Sequence, residues 1–461
     1  MLRSMYAGVS GMKAHMDKMD VVSNNISNVN TVGYKTSRAT FKTMFSQMIQ
    51  GATAPQGGRG GTNPQQIGLG TTLGSIDKDM GQGSLQSTGR NSDLAIEGSG
   101  FFVVGNGNSR RYTKAGSLTK DKDGYLVNSS TGYRVKGWEA DANGDIDTNA
   151  PLEDMSFKES MPAQATSKVS YEGNLNADSE ASDTWNTTFE TYDSQGTVHT
   201  VDLKFSKTGA NQWNYEIAGI SGIDDNNQDN TTLTLADGTD ETDNSADAGD
   251  GEIDGLSGSI SFDVNGDIVT IDGQNIEDIQ DETEDNEDIN FPKLQYTPSG
   301  GAEVPDDPTT DGGPEPITLD FSGLTQFSGE MTADRDTVNG YKAGSLLDYQ
   351  FDSSGTITGE YDNGRQQTIG RIALASFNNP AGLTAEGETL FNVSNNSGDP
   401  NIGAPASGGL GAIKAGSLEM SNVDLSRQFT EMITTQRGFQ ANSKTISTSD
   451  QILQELVNLK R

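Results

Sequence analysis

Side chains that commonly carry out catalysis are scarce in this sequence of 461 residues. It has no cysteine and only two histidines, His15 and His199. His15 lies one position off a line of apolar helix residues, so we expect an exposed or flanking helix residue, and His199 is expected on the surface of a strand. No HExxH, P-loop, GxGxxG or GxSxG motif is present. The sequence therefore predicts no enzyme, no cofactor and no zinc or other metal site.

Carboxylates provide the remaining candidate sites. The segment DANGDID (141–147) resembles the start of an EF-hand loop. Its residues at ligand spacing are Asp141, Asn143 and Asp145. However, Ile146 stands where that loop needs glycine and Leu152 where it needs glutamate, so we predict a polar turn. Carboxylate pairs also abound in residues 221–290, but chance pairs are expected there, and a glycosidase-type site is not predicted.

Charge is distributed unevenly along the chain. The net charge is −35, from 66 acidic and 31 basic residues. Residues 221–290 hold 22 acidic residues and no basic one, and without those 22 charges the net charge would be −13, an ordinary value. Such acidity disfavours binding to nucleic-acid phosphates. We interpret the segment as a solvated acidic face, with weak calcium binding or a high-salt habitat as the alternative.

The first residues of the chain form a helical pattern. Apolar side chains recur there with 3–4 spacing over nearly four heptads, which is typical of a coiled-coil seam. The apolar seam residues are Leu2, Met5, Val9, Met12, Met16, Met19 and Ile26. Positions 2–28 would form a helix of about 40 Å. Asn28, Asn30 and Gly33 are predicted to end it, because asparagine and glycine readily adopt left-handed or turn conformations.

The last residues repeat this pattern. Ser421 with Asp424 predicts a capping box, and Met420 with Leu425 predicts a hydrophobic staple at the start of the helix. The apolar seam residues are Leu425, Phe429, Met432, Phe439, Ile446, Leu453 and Val457. Polar residues occupy the remaining seam positions, Gln436, Ser443 and Asp450.

Between the two helices the pattern indicates short β-strands. Apolar runs around glycine-containing turns predict hairpins, for example at 93–104 and 118–128. The pentapeptide KAGSL, at 114–118, 342–346 and 414–418, is interpreted as a reused element in which a turn leads into a strand. The predicted fold is mainly β with helical termini. The N- and C-terminal α-helices form a coiled-coil-like pair, and the β-rich central domains are inserted in one another.

The predicted domains are nested around the middle of the chain. Residues 1–28 and 425–461 form a terminal helical domain, 29–70 and 396–424 connecting arms, 71–155 and 317–395 a β-rich middle domain, and 156–316 an acidic, surface-exposed outer β domain. The arms are predicted to be flexible because 50–68 and 396–411 are rich in glycine and proline.

The helix patterns leave two interpretations open. The helices could close a coiled coil within one chain, or they could pack against other copies. Gly8 and Gly11 each disfavour helix by about 1 kcal/mol relative to alanine, so an isolated helix should be largely unfolded. Methionine, which dominates the N-terminal seam, packs adaptably against varied partners. We therefore favour helices that become ordered on packing and serve assembly into a polymer.

Long stretches at both ends resemble the flagellar rod and hook axial protein family, and within it most closely the hook proteins. The N-terminal MYAGVSGMKAHMDKMDVVSNNISNVNTVGYKTSRATF is similar to the N-terminal signature of that family. QGSLQSTGRNSDLAIEGSGFFVV (82–104) and the following RYTKAGSLTKDKDGYLVN resemble its β motif. GSLEMSNVDLSRQFTEMITTQRGFQANSKTISTSDQILQELVNLKR resembles its C-terminal signature, and ITLDFSGLTQF (317–327) is also similar to hook proteins.

The resemblance implies a structural subunit of the extracellular flagellar hook. Such a subunit would self-assemble into a flexible tube that joins rod to filament and transmits torque, with paired helices inside and β domains outside. Its partners would be itself, rod, hook-cap and hook–filament junction proteins, and the type III export apparatus. No apolar run is long enough for a cleaved signal or a membrane span, so no membrane insertion is expected. The alternatives are a distal rod or hook-like axial protein, or an acidic extracellular calcium-binding adhesin.

Overall fold

The protein has helices at its two ends and short β-strands between them, which confirms the predicted fold class. The computed structural model describes residues 2–55, 60–107, 109–141, 144–221, 231–236, 239–242, 256–276, 291–296 and 316–458. Within these ranges, neither terminal helix is apolar enough over a sufficient length to cross a membrane. The chain forms two compact units, and the second is inserted in the first. The first unit comprises residues 1–158, 348–360 and 366–461, and the second comprises 159–347 and 361–365.

The elements follow one another with short connections. The helices are α1 (Leu2–Ser27) and α2 (Leu425–Asn458), and a 3₁₀ turn spans Pro380–Gly382. The strands before the second unit are β1 (Ser37–Thr43), β2 (Ser46–Gln50), β3 (Gln65–Gly68), β4 (Thr71–Lys78), β5 (Leu85–Ser87), β6 (Leu94–Glu97), β7 (Phe101–Asn106), β8 (Ser109–Thr113), β9 (Leu118–Lys120), β10 (Leu126–Asn128), β11 (Arg134–Glu139) and β12 (Glu153–Asp154). The next strands are β13 (Ser160–Met161), β14 (Lys168–Asn174), β15 (Thr184–Tyr192), β16 (Val198–Gly209), β17 (Gln212–Ile220), β18 (Thr232–Thr234), β19 (Asp240–Thr242), β20 (Ser257–Phe262), β21 (Ile268–Ile271), β22 (Gln274–Asn275), β23 (Lys293–Gln295), β24 (Ile317–Thr325) and β25 (Asp334–Val338). The last strands are β26 (Gly344–Phe351), β27 (Thr356–Tyr361), β28 (Gln366–Ile372), β29 (Leu374–Ser376), β30 (Thr384–Gly387), β31 (Leu390–Asn392), β32 (Asn401–Gly403), β33 (Ala412–Ala415) and β34 (Ser417–Glu419).

The first unit is built on a sheet whose strands run in the order β27-β28-β11-β7-β8-β31-β30. Strand β7 is buried on both faces, which explains its continuous apolar run FFVV. Phe101 and Tyr112 each pack edge-to-face on Phe377, with ring centroids 5.8 and 4.8 Å apart. These three rings belong to one buried cluster of the unit.

The second unit is a sandwich of two six-stranded sheets. Their strand orders are β19-β18-β23-β24-β14-β25 and β15-β16-β17-β20-β21-β22. Strand β16 alternates buried and accessible residues, as expected for a strand with one face in a core. Residues from both sheets, including Tyr171, Phe205, Trp213 and Phe321, share one buried cluster.

The prediction for His199 was wrong. Its side chain is buried because position 199 takes an inward place in the alternation of β16. The ring Nδ1 lies 3.0 Å from the carbonyl oxygen of Ser221, and the ring packs edge-to-face on Tyr296. Burial raises the pKa of the Tyr296 hydroxyl to about 12. His199 is thus a satisfied core residue rather than a surface residue.

The segments predicted to be flexible arms contain regular strands. In the first arm, 29–70, β2 pairs with β3, and β1 pairs with β4, which lies just beyond the arm, so the four strands form a long two-part hairpin. Within 396–424, β33 pairs with β6 and β34 pairs with β5. For β33 and β34, composition alone missed this order because the pairing partners, β6 and β5, lie far away in the sequence. Residues 56–59, within the glycine-rich part of the first arm, lie outside the described residues.

Candidate assembly surface on the terminal helices

Helices α1 and α2 pack against each other in antiparallel orientation. Ser4 near the start of α1 lies next to Ser449 near the end of α2, with hydroxyl oxygens 3.5 Å apart. Near the other end of the pair, Asn25 Nδ2 donates to Gln428 Oε1 at 3.2 Å. Lys18 Nζ lies 3.5 Å from Glu431 Oε2 between these two contacts. One chain therefore pairs its own two ends.

Much of the contact between the helices is made by glycines and polar side chains. Cβ atoms added at Gly8 and Gly11 would lie 3.1 Å from Ile446 Cγ1 and 2.8 Å from Asn442 Nδ2. On α2, a Cβ added at Gly438 would lie 2.6 Å from the His15 ring. The glycines that weaken these helices in isolation therefore allow the two backbones to approach closely.

This contact line is not the seam that apolar spacing predicts. The α1 contact residues are Ser4, Gly8, Gly11, His15, Lys18 and Asn25. Each lies one residue before a predicted seam residue, which corresponds to a rotation of about 100° around the helix. On α2, the contact residues Gln428, Glu431, Gly438, Asn442 and Ser449 show the same offset, and Ile446 alone also belongs to the predicted seam.

The predicted seam residues consequently remain accessible. Six are classed as exposed: Val9 50%, Met16 51%, Leu425 39%, Phe429 50%, Phe439 36% and Val457 67%. Six others are partly buried: Met5, Met12, Met19, Ile26, Met432 and Leu453. Ile446 is partly buried against Gly8, and the side chain of Leu2 lies outside the described residues. Two helices that are paired within one chain thus still present apolar side chains to their surroundings.

His15 lies in the helix contact rather than being exposed or merely flanking it, so that prediction also needs correction. Its ring faces Gly438 and packs edge-to-face on Phe41, with centroids 5.7 Å apart. Its Nδ1 is buried without a hydrogen-bond partner among the described residues. Burial and the neighbouring charge of Lys18 both lower the pKa of His15. Apolar spacing in the sequence did not predict that His15 lies in the helix contact, because the residues of that contact are mostly not apolar.

The start of α2 differs from the predicted capping box. The helix begins at Leu425, and Asp424 Oδ1 accepts the backbone N–H of Arg427 at 3.2 Å. Asp424 is therefore the N-cap residue. Ser421 instead accepts the N–H of Val423 at 3.4 Å, outside the helix. The pattern predicted the start of the helix in the right region, but it placed the N-cap at Ser421, three residues before Asp424.

The residues predicted to end α1 lie in a tight exit from the helix. Asn28 Nδ2 donates to the carbonyl oxygen of Asn24 at 2.9 Å, while Asn30 is exposed. Gly33 has a φ of +70°, and its N–H donates to the Glu419 carbonyl oxygen at 2.8 Å. A Cβ there would lie 2.7 Å from the Ala115 nitrogen, so only glycine fits.

A buried ion cluster, which the sequence did not reveal, lies at the foot of both helices. Lys35 Nζ lies 2.6 Å from Glu419 Oε1, and both side chains are fully buried. Lys114 Nζ lies 3.8 Å from Glu419 Oε2 and donates to the Gly98 carbonyl oxygen at 3.1 Å. Gly83 donates its N–H to Glu419 Oε1 at 2.9 Å. One carboxylate thus compensates two lysines.

The two lysines of this cluster are not equally close to the carboxylate of Glu419. Burial, opposed by attraction to Glu419 and reinforced by repulsion from Lys35, lowers the pKa of Lys114 to about 8. Lys35 has the shorter contact with the carboxylate. The arrangement joins three segments that are distant in the sequence, those around Lys35, Lys114 and Glu419, and its role is therefore structural.

No group of three or more histidine, aspartate or glutamate side chains suited to a metal ion occurs in the part of the chain that the structure describes. Asp141 Oδ1 accepts the N–H of Asp145 at 2.8 Å, which closes a turn, while Asn143 lies outside the described residues. Most of the acidic segment 221–290 lies outside them as well.

Four family models match parts of the chain, and two of them overlap at residues 160–177. Residues 5–35 match "Flagella basal body rod protein" and 95–177 match "Flagellar hook protein FlgE/F/G D1 domain". Residues 160–341 match "Flagellar basal body protein FlaE D2 domain", and 414–459 match "Flagellar basal body rod FlgEFG protein C-terminal".

Curated relatives match over their full length. The flagellar hook protein FlgE of Borreliella burgdorferi is 39% identical over 480 residues, covering 100% of both chains. The flagellar hook protein FlgE of Treponema pallidum is 38% identical, again covering 100% of both chains. The crystal structure of Helicobacter pylori flagellar hook protein FlgE2 covers 73% of this chain and 100% of its own, with 14% identity and a TM-score of 0.44.

Proposed function

Because the chain belongs to the flagellar hook protein family, we propose that its helix pair is the unit of self-assembly and that the apolar side chains left exposed on α1 and α2 pack against neighbouring copies. The protein is a structural subunit of the bacterial flagellar hook and is located there. It is a homopolymeric flagellar component that interacts with other flagellar proteins.

The exposed apolar line on the paired helices supports this proposal most directly. Full burial of an exposed large apolar side chain contributes about 1.5–3 kcal/mol, so a half-exposed one such as Phe429 would contribute about half of that, and each helix carries several such residues. The contact within the chain leaves these exposed residues accessible, because it lies mainly on a different face of each helix. A surface of this kind on both helices favours contact with more copies of the same chain.

We further propose that the polymer is a flexible tube that joins rod to filament and transmits motor torque. Rod, hook-cap and hook–filament junction proteins would bind its ends, and the type III export apparatus would deliver the chain. The marginal stability of the isolated helices fits delivery as an unfolded chain. Full-length identity to hook proteins does not favour a distal rod protein or a calcium-binding adhesin.

The proposal is tested by substitution on the exposed line. We expect Val9→Ser and Phe429→Ser to raise the concentration needed for polymer formation at least tenfold, which corresponds to about 1.4 kcal/mol. Polymer is measured by light scattering and electron microscopy of purified protein. The matched control is Lys444→Gln, an exposed position on α2, which should assemble like the unaltered chain. Unchanged tubes from both serine variants would contradict the proposed assembly surface.

A further inference from the structure

A groove of about 720 Å³ opens on the first unit beside the exit of α1. Its walls are the segment 28–35 and the β30–β31 hairpin, and Lys78 at the end of β4 reaches into it. Lys78 Nζ lies 5.9 Å from the ring centroid of Tyr34 and 6.0 Å from that of Phe391. The groove thus holds a cation near two aromatic rings.

Lys78 has no acidic partner among the described residues. Its Nζ reaches the Ser37 hydroxyl only at 3.5 Å, and no described carboxylate oxygen lies within 4.0 Å. The side chain is half-buried, and burial lowers the pKa of Lys78. Lys35 and Lys114 on the same unit, in contrast, share the carboxylate of Glu419. A desolvated ammonium without a counter-ion destabilises the free subunit and favours binding of a carboxylate.

The rim of the groove carries backbone strain. Gly387, Glu388 and Thr389 have φ values of +97°, +49° and +59°. The two central positions, Glu388 and Thr389, thus occupy the left-handed region that a tight hairpin normally gives to asparagine and glycine, and a β-branched residue is a genuine outlier there. Such strain costs about 1–3 kcal/mol per residue and clusters at functional surfaces. Thr113 Oγ1 donates to the Thr389 carbonyl oxygen at 3.0 Å and helps to hold this turn.

We propose that this groove binds an aspartate or glutamate side chain of a second copy of the chain, which pairs with Lys78. The chain suits this role, because its 66 acidic residues outnumber 31 basic ones. A groove on one copy that binds a different part of the next copy is a heterologous contact, which generates open helical polymers. The inference rests on the proposed self-assembly and adds a specific polar contact to its apolar one.

A water-soluble carbodiimide, which joins an amine to a touching carboxylate, provides the first test. We expect polymer treated with it to yield a peptide pair that links Lys78 to an acidic residue of another copy, identified by mass spectrometry of mixed light- and heavy-isotope subunits. Acetylation of Lys78 should fall at least fivefold in polymer relative to monomer, while that of exposed Lys414 should change less than twofold. Equal acetylation of Lys78 in both states would overturn the inference, even if polymer forms normally.

A Lys78→Met variant separates assembly from folding. Removal of an unpaired, half-buried charge should leave the thermal midpoint of the monomer unchanged or raise it, while the concentration needed for polymer formation rises about tenfold. Lys414→Met is the matched control and should change neither quantity. Normal assembly of Lys78→Met would refute the role of Lys78. If the unaltered chain forms no polymer, the proposed function fails together with this inference.

Discussion

At the residue scale, Lys35, Lys114 and Glu419 show how charge can be buried in an acidic protein. The two lysines and the glutamate come from segments separated by up to 384 positions. Their hydrogen bonds to the carbonyl oxygens of Gly81 and Gly98 satisfy donors that the carboxylate cannot reach. Opposite charges and these hydrogen bonds make burial of the set tolerable, whereas loss of one member leaves an uncompensated charge.

Lys114 should make stability depend on pH in a defined direction. Its pKa of about 8 in the folded chain lies below the ordinary 10.5, so between these values the unfolded chain binds more protons. Stability from this group therefore rises as pH increases from 8 towards 10.5. We expect the unfolding free energy of the unaltered chain, minus that of Lys114→Met, to rise by up to about 3 kcal/mol across this window. Denaturant titrations at several pH values measure it.

Lys414→Met is the control for that titration, because Lys414 is exposed. Its difference from the unaltered chain should stay flat with pH. Tyrosines whose pKa burial raises, such as Tyr112 and Tyr34, lower stability above pH 10 in every variant and cancel in the differences. A flat difference for Lys114→Met would mean that its charge is not desolvated in the folded state.

A second residue-scale feature was readable from the sequence but was missed. Five turns share the pattern Asp-x-x-Gly, in which the aspartate Oδ1 accepts the N–H four residues later and the glycine has a φ between +75° and +90°. The five begin at Asp121, Asp141, Asp193, Asp263 and Asp352. In this interpretation, Asp141 begins one member of a set of turns closed by an aspartate side chain, rather than an incomplete calcium loop.

At the scale of elements, apolar spacing predicted where the helices lie but not how they meet. The observed bounds of α1, Leu2–Ser27, agree with the predicted helix over 2–28, because 3–4 spacing depends only on local geometry. The contact line was missed because it contains glycine, serine and asparagine, which a search for apolar residues ignores. The same search instead found the face that the single chain leaves unburied.

Helix packing should therefore be sensitive to bulk at the glycines. We expect Gly11→Leu to lower the thermal midpoint and the helical circular dichroism of the monomer, although leucine favours helix over glycine. A Cβ at position 11 already lies 2.8 Å from Asn442 Nδ2, and overpacking typically costs about 1–3 kcal/mol. The control Ser23→Leu introduces the same side chain at an exposed position of α1 and should not lower either signal. Equal stability of both variants would mean that the helices do not pack closely in solution.

At the scale of the whole molecule, the chain ends are anchored at one place in the first unit. Lys35 follows α1, and Glu419 precedes α2, so their ion pair fixes the exit of one helix to the entry of the other. Gly33 reinforces this anchor through its N–H bond to the Glu419 carbonyl oxygen. Sequence patterns could not place these residues together, because an ion pair between residues that are distant in the chain produces no periodic pattern in the local sequence.

Loss of the shared carboxylate should therefore destabilise the first unit in an unfolding experiment on the full chain. In Glu419→Gln, Lys35 and Lys114 remain buried without a counter-ion, which typically costs about 3–5 kcal/mol. We expect calorimetry to show a lower transition temperature for the first unit and an unchanged transition for residues 159–347, whose core is its own. The exposed Glu360→Gln in the first unit, which removes the same charge, should shift neither transition.

Polymer formation by Glu419→Gln should weaken as well, although every apolar side chain of α1 and α2 is intact, because helices without a fixed anchor lose more entropy when they pack. If Glu419→Gln melted and assembled like the unaltered chain, the buried cluster would contribute packing alone and the anchoring role would be wrong.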